Sequence, residues 1–101
     1  VLNRGANADL PDNASIERKC VIDKDGAHPI HIGRTPLKIR GLLQNVKAYE
    51  QLTIEAAVTG DYDCALQALT IHPLVNSATV AKQILDDILA ENREYLPQFS
   101  Y

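Results

Sequence analysis

The 101 residues predict an α+β domain in which a short N-terminal β-hairpin is followed by three packed helices. Three observations carry this expectation. Apolar residues return at helical spacing over three separate stretches of the second half. The front of the chain instead carries two short extended segments on either side of Asp23-Lys24-Asp25-Gly26, a turn sequence. Each helical stretch is also bracketed by a capping residue, a glycine or a proline.

Residues 1–14 read as a loop, punctuated by Gly5 and by the turn Pro11-Asp12-Asn13. The hairpin is expected over 15–32. Ser15 to Ile22 supplies its first strand, interrupted near Arg18, and Ala27 to Ile32 its second, with Pro29 at an edge because it has no N–H to give a ladder. The long helix is expected over 35–59, with Thr35 as N-cap, Pro36 in the first turn and Gly60 as the stop. Ile39, Leu42, Leu43, Val46, Tyr49, Thr53 and Ala57 form its apolar stripe. A second helix is expected over 61–72, capped by Asp61, with Ala65, Leu66 and Leu69 facing inward, and His72-Pro73 ends it. The third runs over 76–96, capped by Asn76 or Ser77, with Val80, Ala81, Ile84, Leu85, Ile88, Leu89 and Tyr95 on its apolar side. No internal repeat links these pieces.

One residue breaks the long helix's pattern. Glu50 projects into the apolar stripe, and a buried carboxylate needs a donor or a cation. Either it reaches the edge or an arginine of its own chain, or it faces another domain or subunit; Glu50 is therefore the candidate interface residue.

Composition excludes several function classes. A net charge of −3, with both signs spread along the chain, leaves no basic stripe for nucleic acid. No apolar run approaches the roughly 20 residues needed to span a membrane. No secretory signal opens the chain, and Val1 is not an initiator residue, so a start further upstream is expected. Cys20 and Cys64 lack CxxC spacing and read as reduced thiols of a cytoplasmic protein. His28 and His31, three apart on a strand, point to opposite faces and cannot easily share a metal. Asp86-Asp87 and the Asp61/Asp63 pair imply no facing acid, and no phosphate loop, serine elbow or HExxH occurs. Catalytic, cofactor-binding and metal residues are expected to be absent, as in a supporting domain.

Three stretches, kept in order and spacing, carry a resemblance: Asn3-Arg4-Gly5-Ala6 with Leu10-Pro11-Asp12; Arg40-Gly41-Leu42-Leu43 through Gly60-Asp61; and His72-Pro73-Leu74-Val75 through Tyr95-Leu96-Pro97-Gln98-Phe99. The chain resembles the C-terminal part of the NAD- and manganese-dependent glycosidases of glycoside hydrolase family 4, closest to the 6-phospho-β-glucosidase branch. It departs at the front. The family usually reads N-x-G-A-I-P-x-L-P where this chain has Ala6-Asn7-Ala8-Asp9-Leu10-Pro11, and V-E-V-P-C where it has Ile16-Glu17-Arg18-Lys19-Cys20.

The resemblance implies a parent enzyme that hydrolyses phosphorylated disaccharides outside the usual two-carboxylate scheme. NAD takes a hydride from C3, a tyrosine removes the C2 proton, Mn²⁺ stabilises the enolate, the aglycone leaves, water adds and the hydride returns. The family's nucleotide loop, metal ligands and tyrosine base have no matching position here. Cys20 is not its metal cysteine, and Tyr49, Tyr62, Tyr95 and Tyr101 are not its base. NAD and Mn²⁺ therefore belong to the parent, and this chain alone is expected to bind neither and to be inactive. Asn3, Arg4 and Gly5 are the residues expected near the sugar, Gly5 by allowing close backbone approach and the other two as donors. Partners expected are the upstream nucleotide-binding domain and a second copy in a homo-oligomer, with no nucleic acid or membrane. The competing expectation is a non-catalytic helical dimerisation module derived from the same domain.

Overall fold

The computed structural model describes residues 1–99. In order, the elements are β1 (Cys20–Asp23), β2 (Gly26–Pro29), α1 (Leu37–Thr59), α2 (Tyr62–Ile71) and α3 (Ala78–Glu91), with a 3-10 turn at Arg93–Tyr95. This is the α+β order expected, a two-stranded antiparallel hairpin and then three helices. The chain forms two compact units, Val1–Gln44 and Asn45–Tyr101.

In the first unit, Cys20 pairs with Pro29 and Asp23 with Gly26, leaving Lys24-Asp25 as the connection. The strands are shorter than 15–32 because their flanks pair elsewhere. Ile16 N–H donates to the Val1 carbonyl at 2.8 Å, Leu2 bridges Ser15, and Ile32 N–H donates to the Ala6 carbonyl at 2.8 Å. Both strand flanks are thus tied to the N-terminal loop.

That loop is built around a carboxamide. Asn3 is fully buried, and its Nδ2 donates to the carbonyls of Asn7 and Leu10 at 2.9 Å and of Pro11 at 3.1 Å. Its Oδ1 accepts the Asn7 N–H at 2.8 Å. One side chain therefore satisfies groups up to eight positions away in a segment with no regular structure of its own.

A second polar layer lies beside it. Buried Asn7 donates through Nδ2 to Thr35 Oγ1 at 2.9 Å, and its Oδ1 accepts the Asp9 N–H at 3.0 Å. The Asp9 carboxylate, 2% exposed, accepts the Thr35 N–H at 2.6 Å and Arg34 Nε at 3.0 Å, with Arg40 Nε 3.3 Å away. Thr35 therefore does not cap α1 with its hydroxyl as the sequence suggests; that group is committed to Asn7, and α1 opens at Leu37 behind Pro36. Arg40, from the first turn of α1, closes the layer by donating to the Thr35 carbonyl through Nε and Nη2. The Asn7–Thr35 and Asp9–arginine bonds thus pair every polar side chain of this layer.

In the second unit, Asp61 caps α2 by accepting the Cys64 N–H, and Ser77, of the two candidates, caps α3 by accepting the Val80 N–H. The third helix ends earlier than 96: Asn92 leaves the helix at φ −113°, and its side chain donates to the Ile88 carbonyl. Ala68, Ala81, Leu85 and Leu89 are buried along α2 and α3. The packed side of α1 here is Asn45, Tyr49, Leu52 and Ala56, at i, i+4, i+7 and i+11. Asn45 donates to the Ile71 carbonyl, the Tyr49 ring meets His72 edge-on at 4.5 Å, the Leu52 carbonyl accepts from Cys64 Sγ, and Ala56 is buried. This side is rotated from the expected stripe, so Thr53 and Ala57 are exposed and Ile54 and Val58 project outward.

Two predictions follow from the first unit. Asn3→Ala strands one N–H and several carbonyls in a buried loop, and chemical denaturation is expected to show a loss of about 3 kcal/mol. For Asp9, burial raises the carboxyl pKa, but the Thr35 N–H, the Arg34 hydrogen bond and the charges of Arg40 and Arg34 outweigh it and leave the group below its usual value. A depressed folded-state pKa contributes stability at pH values above the ordinary carboxylate range of about 3.9, lost as pH falls through the folded value. Acid titration of stability is expected to show this loss below about pH 4, and Asp9→Asn to flatten the curve there.

Candidate functional site

The turn Asn3-Arg4-Gly5-Ala6 is the most sharply defined surface feature of the first unit. Arg4 sits at φ 45° and Gly5 at φ 80°, and the Ala6 N–H donates to the Asn3 carbonyl at 2.9 Å. Two successive left-handed residues closed by that bond are the signature of a primed turn, usually built from Asn and Gly. An arginine in the left-handed region costs on the order of 1 kcal/mol. Among the described residues Arg4 is the one non-glycine with positive φ.

The three expected substrate-proximal residues separate in the structure. Asn3 does not offer outward donors: its carboxamide is spent inside the loop, so the expectation that it reaches a ligand is corrected by its burial. Arg4 is exposed, its backbone N–H is bound to the Asp12 carbonyl at 2.9 Å, and its guanidinium has no hydrogen bond or ion pair among the described residues. With Val1, Leu2, Ala27 and Pro29 it lines a shallow cavity of about 210 Å³. Gly5 supplies the second left-handed residue; a Cβ there would meet His31 and Asp12 only at ordinary contact distance, so its conformation rather than close approach demands glycine.

Glu50 has a partner within its own chain, three residues earlier. Its Oε2 lies 2.5 Å from Lys47 Nζ, with the carboxylate side chain 43% exposed. The carboxylate therefore places no demand on a second subunit, and the lysine at i−3 was the signal that could have revealed this.

The remaining candidates are dispersed. His28 Nε2 lies 2.9 Å from Asp23 Oδ1 across the hairpin, and Asp23 is held below its usual pKa by that contact first and by the Asp25 N–H second. Tyr62 O–H donates to Asp86 Oδ1 at 2.6 Å, raising the phenol pKa, while Tyr95 is exposed and Tyr101 lies outside the described residues. Cys20 and Cys64 are free thiols, and burial pushes the Cys64 pKa up. Among the described residues no three His, Cys, Asp or Glu side chains gather where they could hold a metal ion. No described helix is long and apolar enough to cross a membrane.

Comparison with known proteins gives this arrangement its context. The family 4 glycosyl hydrolase C-terminal domain matches residues 1–75. A probable 6-phospho-beta-glucosidase of Bacillus subtilis (strain 168) is 53% identical over 98 residues, covering 97% of this chain and 22% of that protein. A maltose-6'-phosphate glucosidase of Fusobacterium mortiferum is 38% identical over 97 residues, covering 96% of this chain and 22% of the relative. A crystal structure of a 6-phospho-alpha-glucosidase from gut microorganisms, in complex with NAD and Mn²⁺, matches with a TM-score of 0.92 at 32% identity, covering 99% of this chain and 23% of that one. The 6-phospho-beta glucosidase of Thermotoga maritima, with manganese, NAD⁺ and glucose-6-phosphate, matches with a TM-score of 0.82 at 35% identity, covering 95% of this chain and 24% of its own. The chain thus spans less than a quarter of the proteins it matches. Its described residues offer no cluster suited to the manganese of those structures and no glycine-rich loop after a strand suited to their NAD. The match over residues 1–75 and the identity across nearly the whole chain make it a member of the family 4 glycosyl hydrolases, corresponding to their C-terminal domain.

Proposed function

We propose that the chain is the substrate-cleft and assembly domain of a 6-phospho-β-glucosidase-like enzyme of the cytoplasm. The parent would hydrolyse phosphorylated disaccharides by NAD-dependent oxidation, elimination, addition and reduction. The observation that carries this reading is the 53% identity to a probable 6-phospho-beta-glucosidase over 97% of the chain. The β preference rests on that value standing above the 38% identity to the maltose-6'-phosphate glucosidase and the 36% identity to a 6-phospho-alpha-glucosidase of Leptotrichia buccalis.

The chain's own share of the chemistry is recognition. Arg4, whose guanidinium has no partner among the described residues and which sits in a strained turn, presents donors suited to a sugar phosphate oxygen. Gly5 shapes the turn, and Asn3 is a positioning residue that fixes its base from inside. The groups that oxidise the sugar and bind the metal would come from the upstream nucleotide-binding domain. Assembly into a homo-oligomer is supported by Ile54 and Val58, which are 63% and 77% exposed on α1, with Glu50 one turn before Ile54. A helical interaction module without catalysis draws on those same two side chains but leaves the strain at Arg4 without a purpose.

Turnover of a chromogenic 6-phospho-β-glucoside with added NAD and Mn²⁺ tests the division of labour. The isolated 101 residues are expected to give none, and the full-length parent is expected to cleave the β-linked substrate in preference to its α-linked isomer. Turnover by the isolated chain, or a parent inert toward both phosphorylated substrates, would contradict the proposal.

A further inference from the structure

In the second unit the segment after α3 folds back onto the corner between α1 and α2. Gly60 ends α1 at φ 74°, with its N–H donating to the Ala56 carbonyl at 2.8 Å. The carbonyl of Gln98 occupies the space where a side chain would begin. A Cβ on Gly60 would lie 2.5 Å from the Gln98 carbonyl carbon, nearer still to its oxygen, and 3.2 Å from the Gln98 Cβ. Gln98 Nε2 then donates to the Ala57 carbonyl at 2.9 Å, satisfying one of the acceptors that the end of a helix leaves open. The Phe99 N–H donates to the Leu96 carbonyl at 3.1 Å, which turns the segment so that both side chains reach the same groove. That groove, about 250 Å³, is otherwise walled by Tyr49, Leu69, Leu85, Ile88 and Leu89 with smaller side chains between them.

We infer that Leu96–Phe99 is a latch: a docked peptide segment that closes one side of this groove and whose keyhole is Gly60. The geometry separates two reasons for glycine at position 60. Positive φ alone would admit asparagine at modest cost, but any Cβ collides with the Gln98 backbone, and a backbone carbonyl cannot swing aside as a side-chain tip can. Alanine and asparagine should therefore be about equally damaging to the latch, although they differ in their tolerance of left-handed backbone. Leu96 and Phe99 form one side of the groove's wall, so the latch governs how far that apolar groove is enclosed.

Amide hydrogen exchange followed by NMR on the full chain tests this with three variants. In the wild type the Phe99 amide is expected to be protected. In Gly60→Ala, Gly60→Asn and Gln98→Ala that protection is expected to fall by about tenfold or more, with α2 and α3 amides holding theirs and binding of an apolar dye rising. Unchanged Phe99 protection in both Gly60 variants would overturn the inference. Equal loss of protection across α2, α3 and the tail in all three would also overturn it, because the segment would then be part of the core and not a separable latch.

Discussion

What the front of this protein presents depends on one buried carboxamide. Asn3 holds three carbonyls and one N–H of its own loop, and in doing so it replaces the ladder that a strand or helix would otherwise supply. A loop without regular structure must satisfy its backbone locally or expose it. Because Asn3 does so from inside, the turn after it can be forced into the left-handed region, and an arginine can be kept there with its guanidinium outward. The same loop receives both strand flanks, so hairpin and turn are positioned together. Strain at Arg4 and order at Asn3 are two sides of one arrangement.

The second polar layer buries side chains that must be paired. Asn7, Asp9 and Thr35 occupy interior positions, and leaving any of them unpaired would cost more than a hydrophobic side chain gains there. Each is paired. Asp9 alone collects the Thr35 N–H and contacts from Arg34 and Arg40, residues 25 or more positions away. Among the described residues no buried side-chain nitrogen or oxygen lacks a partner. The layer is therefore a complete network, at the price of sensitivity to acid.

Much of this was legible in the sequence, and what was not has a common cause. The turn at Asp23-Lys24-Asp25-Gly26 and the capping role of Asp61 and Ser77 depend on side chains acting on backbone within three residues, and such signals survive in a linear reading. The burial of Asn3, the diversion of the Thr35 hydroxyl to Asn7 and the seating of Gln98 on Gly60 all join distant positions, and periodicity carries no trace of them. The packed face of α1 was misjudged for a related reason. Tyr49 packs as expected, against His72, but Asn45 joins it because the Ile71 carbonyl receives its carboxamide, whereas Thr53 and Ala57, which spacing alone places on the stripe, are exposed. Asn3 looked like a ligand donor because its type and its place beside a glycine fit that role as well as they fit a structural one.

The role proposed for the strain at Arg4 is recognition of a phosphorylated sugar. Replacing Arg4 with glycine in the full-length parent, and measuring stability and kinetics side by side, tests it most directly. Glycine relieves the left-handed backbone while removing the guanidinium, so the melting temperature is expected to hold or rise. KM for a 6-phosphorylated substrate is expected to rise about 30-fold, the value of one charge-assisted hydrogen bond, with little change for an unphosphorylated analogue. A variant that gains stability and keeps its KM for the phosphorylated substrate would contradict the account and leave Arg4 as a residue of the turn alone.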